Sequence, residues 1–187
     1  MLENSKQENL GLKLHKMSSI FILNLARFAI LILIQVFLLQ NVGYYNLSTP
    51  FLYILFILLL PIKIPHWLLF ISSFASGLII DIFYDTLGLH ATACTVMALT
   101  RIVFISVTLQ QDKYENNQTP SLGAMGFRWF FFYTATLTFF HHTVLFLFET
   151  FRFSDLLYTL LRTVSSSIFT IVLIFIYEYI FFHKKVR

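Results

Sequence analysis

The stretch Phe70–Thr108, FISSFASGLIIDIFYDTLGLHATACTVMALTRIVFISVT, decides the fold of this chain. Two continuous apolar segments meet there at a short polar turn that carries Asp81, Asp85, Gly88 and His90. Each segment is close to the roughly 20 residues that an α-helix needs to cross a bilayer. Ionisable side chains near hydrocarbon are costly unless they are paired or hydrated. The turn is therefore the first place to look for function.

The composition extends this interpretation to the whole chain. Of the 187 residues, 58% are hydrophobic and 12% are charged, whereas charged residues make up about a quarter of a typical soluble domain. The apolar runs are continuous, while the strands of a membrane β-barrel alternate apolar and polar residues. We therefore predict an all-α integral membrane protein. The basic residues behind the net charge of +4 lie beside apolar runs and not in one patch, so nucleic-acid binding is not indicated.

The apolar runs predict about six spans in a single membrane domain over residues 18–182. The predicted spans cover 18–40, 51–62, 67–83, 89–109, 127–148 and 156–182. Polar segments predict a cytoplasmic tail at 1–17, a cytoplasmic loop at about 110–126 and a basic cytoplasmic tail at 183–187. The run 51–62 is short and ends at Pro61 and Pro65, so whether it crosses fully is left open.

The distribution of Lys and Arg predicts that both termini lie in the cytoplasm. With six spans, most basic residues near span ends fall on one side, namely Lys6, Lys13, Lys16, Lys63, Lys113, Arg128, Lys184, Lys185 and Arg187. The other side holds Arg152. Cytoplasmic loops of membrane proteins carry the excess of Lys and Arg. An even number of spans is favoured because an odd number would scatter these residues over both sides.

Small and polar residues line one face of the third predicted span. Ser73, Gly77 and Asp81 follow one another at four-residue spacing, which places them on one helix face where another helix can pack closely. Asp85 could also be a simple hydrated loop acid. The predicted partner-binding or helix-packing residues are Gly77, Asp81, Asp85, Gly88 and His90.

The neighbouring histidines His141 and His142 form a second polar group, in the fifth predicted span. Adjacent helical residues point about 100° apart, so the two imidazoles cannot easily share one metal ion. His142 and Glu149 are two turns apart on the same face. We predict no metal site, and expect His141, His142 and Glu149 to act as intramembrane polar residues that bond between helices.

Two arginines lie inside predicted spans and are candidates for intramembrane ion pairs. Arg101 is nearer the inner side, so it is expected to snorkel to the interface or to meet Glu178. Arg162 lies about a turn and a half below the outer surface. Its expected partner is an acid at that depth, taken from Asp81, Glu149 and Asp155.

The chain lacks the sequence patterns of common catalytic and cofactor sites. It has no glycine-rich phosphate loop, no GxSxG elbow and no cysteine pair, since Cys94 is the one cysteine. The serines at 165–167 are expected to serve helix packing. We therefore predict no enzymatic activity and no cofactor, and an intramembrane hydrolase that uses Asp and His is disfavoured.

The segment GLIIDIFYDTLGLHA, residues 77–91, resembles part of the rod shape-determining protein MreD family. Members of that family typically have about six spans and a glycine-apolar-apolar-x-Asp segment at the end of a span, followed by a turn into Gly-Leu-x-Ala. The matching residues here are Gly77, Asp81, Gly88, Leu89 and Ala91. The pair His141-His142, followed by Phe148-Glu149, resembles Bacteroidetes-type members.

The resemblance implies a non-enzymatic scaffold of the cell-elongation machinery, embedded in the bacterial inner membrane. It implies binding to MreC, and through MreC a link between MreB filaments and peptidoglycan synthesis by a RodA-type SEDS glycosyltransferase with its class B penicillin-binding protein. The family also resembles the S components of energy-coupling-factor transporters in fold. An alternative function is therefore a small-molecule binding or transport subunit, with an outward cavity lined by Asp85, His90, His142 and Glu149.

Overall fold

The computed structural model describes residues 24–40, 42, 48–110, 113–115, 118–150 and 156–182. These residues are helical or lie in turns and connections, and none of them forms a β-strand. The predicted tails 1–17 and 183–187 lie outside the described residues, as do Arg152 and Asp155.

Among the residues that the structure describes, four helices are long and apolar enough to cross a membrane. In chain order the helices are α1 (Asn24–Leu39), α2 (Leu55–Leu58), α3 (His66–Tyr84), α4 (Leu89–Thr108), α5 (Leu122–Met125), α6 (Phe127–Thr150) and α7 (Leu156–Phe182). The four long ones are α3, α4, α6 and α7. They match the last four predicted spans, because long apolar runs bounded by polar turns are the clearest signal of a spanning helix.

The long helices pack in sequence order, α3 on α4, α4 on α6, and α6 on α7. Asp85 ends α3 in the left-handed conformation, with φ 55°, and Gly88 precedes α4 with φ 81°. This turn marks one end of the bundle, called here the Asp81 end. The connection from α4 to α6 lies at the opposite end, called here the Gln118 end.

The predicted helical span 51–62 is corrected by the structure. The segment consists of a 3-10 turn at Leu52–Ile54, the single turn α2, and an irregular path through Pro61. A straight α-helix of this length would cover only about 18 Å, at about 1.5 Å per residue. Its side chains from Phe51 to Leu60 are buried, so the segment packs against protein and does not face lipid.

The same segment nevertheless connects the two ends of the bundle. The ring of Phe51 lies 5.1 Å from the ring of His90 at the Asp81 end. The Ile62 amide donates a hydrogen bond to the Gln118 carbonyl oxygen, 2.9 Å away, at the other end. We refer to residues 49–62 as the crossing segment.

The outer faces of the long helices are apolar. Ile82 on α3, Val107 on α4 and Leu157 on α7 are among many large hydrophobic side chains that stay exposed. A soluble protein rarely leaves a contiguous apolar surface of this extent. The described helices are compatible with a multi-pass membrane protein.

Candidate functional site

The Asp81 carboxylate binds the start of the next helix. Its Oδ1 accepts hydrogen bonds from the His90 amide at 3.0 Å and from the Thr86 hydroxyl at 2.5 Å, and its Oδ2 accepts one from the Ala91 amide at 3.0 Å. The first amides of a helix lack partners inside the helix and carry partial positive charge. Asp81 therefore caps α4 from the preceding helix, and its own side chain is buried.

Gly77 explains why the two helices can approach so closely at this point. A Cβ atom at position 77 would lie 2.5 Å from the Cα of Ala91 and 2.5 Å from the carbonyl oxygen of His90. Only glycine fits such a contact without a shift of the backbone. Gly77, Asp81, Gly88 and Ala91 thus form one unit, called here the α3–α4 clamp.

The exposed part of the turn is formed by other residues. Asp85 is exposed, and Leu87 is fully exposed, with a relative accessibility of 102%. Of the residues predicted at this turn, Asp85 is therefore the one whose side chain points away from the fold. The sequence analysis did not identify Leu87, although an apolar residue within a polar turn could have indicated a contact surface.

A second polar group lies in the core, where the crossing segment passes between α4 and α6. The Tyr53 hydroxyl is 2.8 Å from His141 Nε2, 3.0 Å from His90 Nδ1 and 3.5 Å from Cys94 Sγ. All four side chains are buried. We call Tyr53, His90, Cys94 and His141 the Tyr53 cluster.

His142 points away from this cluster and towards α7. Its Nδ1 lies 2.8 Å from the Thr138 carbonyl oxygen, so Nδ1 carries a proton and donates it. In a neutral imidazole the other nitrogen then accepts, and His142 Nε2 accepts a hydrogen bond from the Thr170 hydroxyl, 3.2 Å away. Thr170 Oγ1 in turn accepts the Phe51 amide at 3.1 Å. His142 therefore orients the threonine that holds the start of the crossing segment.

The space between these histidines is filled by an aromatic side chain. The Phe51 ring lies 5.1 Å from the ring of His90, 5.4 Å from that of His142 and 6.2 Å from that of Phe146. Within the part of the chain that the structure describes, no group of three or more His, Cys, Asp or Glu is arranged to hold a metal ion. These histidines line a packed core.

Gln35 on α1 is the main anchor of the crossing segment at the Asp81 end. Its Nε2 donates to the Pro50 carbonyl oxygen at 3.1 Å and to the Tyr84 hydroxyl at 2.7 Å. Its Oε1 accepts the amides of Leu52 at 2.8 Å and Tyr53 at 3.4 Å. One buried amide side chain thus forms hydrogen bonds with backbone groups of Pro50, Leu52 and Tyr53.

Arg101 and Tyr133 anchor the other end of the crossing segment. Arg101 Nη2 donates to the carbonyl oxygens of Leu60 at 2.5 Å and Pro61 at 3.1 Å, while Nε donates to the Tyr133 hydroxyl at 2.9 Å. Tyr133 donates to the Leu58 carbonyl oxygen, 2.9 Å away. Arg101 therefore neither snorkels nor reaches Glu178, and both expectations are corrected. The irregular backbone at Pro61 leaves carbonyl groups free, and the guanidinium binds them.

The remaining charged candidates are also bound within the fold. Glu178 accepts the Leu122 amide at the start of α5, 2.9 Å away. Arg162 pairs with Glu149 at 3.1 Å, and its guanidinium lies 4.2 Å from the centre of the Phe146 ring. Of the two expected partners of Arg162 that the structure describes, Glu149 pairs with it, and the Asp81 carboxylate is bound to the start of α4.

Sequence reasoning missed the anchors of the crossing segment. Non-helical backbone at membrane depth is tolerated only where protein or water satisfies its polar groups. Here that role falls to Gln35, Tyr133, Ser166 and Thr170, which are polar side chains on long, mainly apolar helices. Polar residues on such helices, together with a nearby apolar run too short to cross as a helix, are the signal that could have revealed the arrangement.

Comparison of the chain with protein-family models, with characterised proteins and with solved structures finds no match. The resemblance to the MreD family therefore stays a prediction from the residues of the α3–α4 clamp and from the Phe-rich segment around His141.

Proposed function

We propose that this protein is a non-enzymatic membrane scaffold of the MreD type in the bacterial inner membrane. In this role it binds MreC, and it helps couple MreB filaments to the RodA-type SEDS glycosyltransferase and its class B penicillin-binding protein. The observation that supports the proposal is that the polar residues singled out from the sequence make hydrogen bonds within the fold. Asp81 caps α4, and the Tyr53 cluster is buried around the crossing segment.

The proposed contact with MreC is the exposed side of the turn between α3 and α4. Leu87 projects fully from this turn beside the exposed Asp85, and the exposed Ile82 continues the surface along α3. Complete burial of a leucine side chain contributes about 1.5–3 kcal/mol relative to exposure. A hydrophobic segment of MreC next to its membrane span would bury Leu87 and could pair a cation with Asp85.

The proposal includes six crossings with both termini in the cytoplasm. Two features support it. Gln40 at the end of α1 donates to the Phe83 carbonyl oxygen at the Asp81 end, 3.1 Å away, and the crossing segment returns the chain to the Gln118 end. The four long helices then add an even number of crossings, which agrees with the bias of Lys and Arg.

Site-specific photo-crosslinking tests the contact. A photo-reactive amino acid replaces Leu87 in the full chain, which is co-expressed with MreC from the same source. The matched control carries the same group at Leu157, another leucine that is exposed at the Asp81 end but lies on α7. We expect an adduct with MreC from position 87 and none from position 157.

Two substitutions provide an independent measurement. Leu87→Ser and Asp85→Asn change exposed side chains and should leave the amount of folded protein in the membrane unchanged. They should reduce co-purification with MreC, whereas Leu157→Ser should not. Full co-purification of both turn variants, or equal crosslinking from 87 and 157, would refute this turn as the contact.

The alternative is a small-molecule binding or transport subunit like the S components. Three of the four residues expected to line its cavity instead contact other side chains of the protein. His90 and His142 are buried against Phe51, and Glu149 pairs with Arg162. A stabilising shift of the unfolding temperature by a vitamin or a lipid-linked precursor would favour this alternative.

A further inference from the structure

A cavity of about 500 Å³ lies at the Gln118 end, between the start of α3 and the C-terminal half of α4. Its basic lining residues are Lys63, His66 and Arg101, and its apolar lining includes Ile64, Leu69 and Ile105. The basic side chains come from three places along the chain. The connection after the crossing segment supplies Lys63, the first turn of α3 supplies His66, and α4 supplies Arg101.

Arg101 places a positive charge in the wall of this cavity without a neutralising acid. Its side chain is 99% buried, with only 1% relative accessibility. Among the described residues, no carboxylate forms an ion pair with it, and its hydrogen bonds to the Tyr133 hydroxyl and to two carbonyl oxygens are made by Nε and Nη2. Buried charges are costly unless they are paired and hydrogen-bonded. An anion in the cavity would supply the missing partner.

The backbone at the cavity also favours the binding of an anion. The α3 helix begins after Pro65, and no side chain caps it. The first amides of a helix bind anions because they point out of the helix and lie at its positive end. The backbone amides of His66 and of the residues that follow it are therefore a second source of positive potential, independent of the Arg101 guanidinium.

We infer that this cavity binds the phosphate group of an anionic membrane phospholipid. Basic pockets between membrane helices are a known way to hold such headgroups. A lipid is favoured over a soluble phosphate because the other lining residues are apolar and because Trp67, next to the cavity, is exposed. Exposed tryptophan is typical of the level at which headgroups meet hydrocarbon. Arg101 Nη1, Lys63 and His66 would contact the phosphate, and the acyl chains would follow the apolar surface of α3 and α4.

Native mass spectrometry of the purified full chain tests this inference directly. The protein in detergent is titrated with dioleoyl phosphatidylglycerol, with dioleoylglycerol, which has the same chains but no phosphate, and with glycerol phosphate, which has no chains. We expect a bound phosphatidylglycerol at concentrations at which the other two compounds do not bind.

Substitutions assign the binding to the cavity. Lys63→Ala removes a cationic side chain and His66→Ala removes an imidazole that can donate a hydrogen bond, and neither residue is among the anchors of the crossing segment. The matched control is Lys113→Ala, which removes the same charge at the same end of the bundle from an exposed position that does not line the cavity. Each basic side chain near an anionic lipid contributes enough to change affinity by about fivefold. We therefore expect about a fivefold weaker affinity for phosphatidylglycerol in Lys63→Ala, a further loss in the double variant, and no change in Lys113→Ala.

Three outcomes would overturn the inference. The first is an equal loss in Lys113→Ala, which would indicate general surface charge. The second is unchanged affinity in the double variant. The third is binding of glycerol phosphate as tight as that of the lipid, which would make the ligand a soluble phosphate. None of these results depends on MreC, so failure here and failure of the scaffold proposal are distinguishable.

Discussion

Asp81 and Asp85 lie four residues apart in the same acidic turn, yet their carboxylates have opposite environments. Asp81 is buried and bound to two amides of α4, whereas Asp85 is exposed and contributes its backbone, in the left-handed conformation, to the end of α3. The one is part of the fold, and the other is available to a partner. This contrast gives a matched pair of substitutions.

Asp81→Ala should destabilise the protein markedly, because it leaves the first amides of α4 and the Thr86 hydroxyl without their acceptor. Loss of a helix cap typically costs about 0.5–2 kcal/mol. Because the Asp81 side chain is buried, we expect a loss of stability at the upper end of this range. Thermal unfolding in detergent measures the effect. Asp85→Asn is the control and should change the unfolding temperature little, because asparagine tolerates the left-handed conformation of residue 85. An equal or smaller loss for Asp81→Ala than for Asp85→Asn would contradict the capping role.

Gly77→Ala should also destabilise the protein, because the added methyl group would meet the backbone of Ala91 and His90. Overpacking of a tight contact typically costs about 1–3 kcal/mol. Ala75→Val, which adds bulk on an exposed position of the same helix, is the control. The amount of monodisperse protein after extraction and the unfolding temperature report the outcome. Equal behaviour of the two variants would show that α3 and α4 are not in close contact at Gly77.

The sequence predicted that Gly77 and Asp81 share a packing face, and it did so from spacing alone. It left open which helix covers that face. Four-residue spacing defines a side of one helix but contains no information about the neighbour. The structure shows that the neighbour is the start of α4 in the same chain, which leaves Leu87 and Asp85 as the outward part of the turn.

At the level of elements, the crossing segment differs most from expectation. The bounds of α3, α4, α6 and α7 follow closely from the apolar runs, because a lipid-facing helix must be long and continuously apolar. The run 51–62 is equally apolar for another reason, namely burial inside protein. Hydropathy cannot distinguish these two environments. The distinguishing information lies in Gln35, Arg101 and Tyr133, which are far away in the sequence.

Gln35→Leu should destabilise the crossing segment, because it leaves the Pro50 carbonyl, the Leu52 amide and the Tyr84 hydroxyl without their partner. Each unsatisfied buried polar group costs about 1–3 kcal/mol. Gln40→Leu is the control. It is the same substitution near the end of the same helix, where the glutamine is exposed and donates one hydrogen bond. The difference in unfolding temperature between the variants measures the anchoring. Similar values would mean that α1 does not hold the segment.

At the level of the whole molecule, the ends of the bundle can be assigned to the two sides of the membrane by chemical labelling. The native Cys94 is free and buried, so we expect it to remain unlabelled by a membrane-impermeable maleimide in the folded protein. Leu87→Cys should be labelled in intact spheroplasts. Lys113→Cys should be labelled only after permeabilisation, because the proposed six crossings would place the Gln118 end in the cytoplasm.

Labelling of both positions from the same side would exclude the proposed number of crossings. Labelling of Lys113→Cys alone in intact spheroplasts would reverse the orientation and contradict the bias of Lys and Arg. A sample unfolded in sodium dodecyl sulfate, in which we expect the buried Cys94 to react, is the control for reagent quality.

The crossing segment also limits the order in which contacts can form as the chain is synthesised. Its Phe51 amide depends on Thr170, a residue 119 positions later in the chain, and its Thr49 amide depends on Ser166. When the ribosome has made this segment, α6 and α7 do not yet exist. These two hydrogen bonds can therefore form only after α7 has been synthesised. The start of the crossing segment completes its contacts late, although it is synthesised well before the helix that holds it.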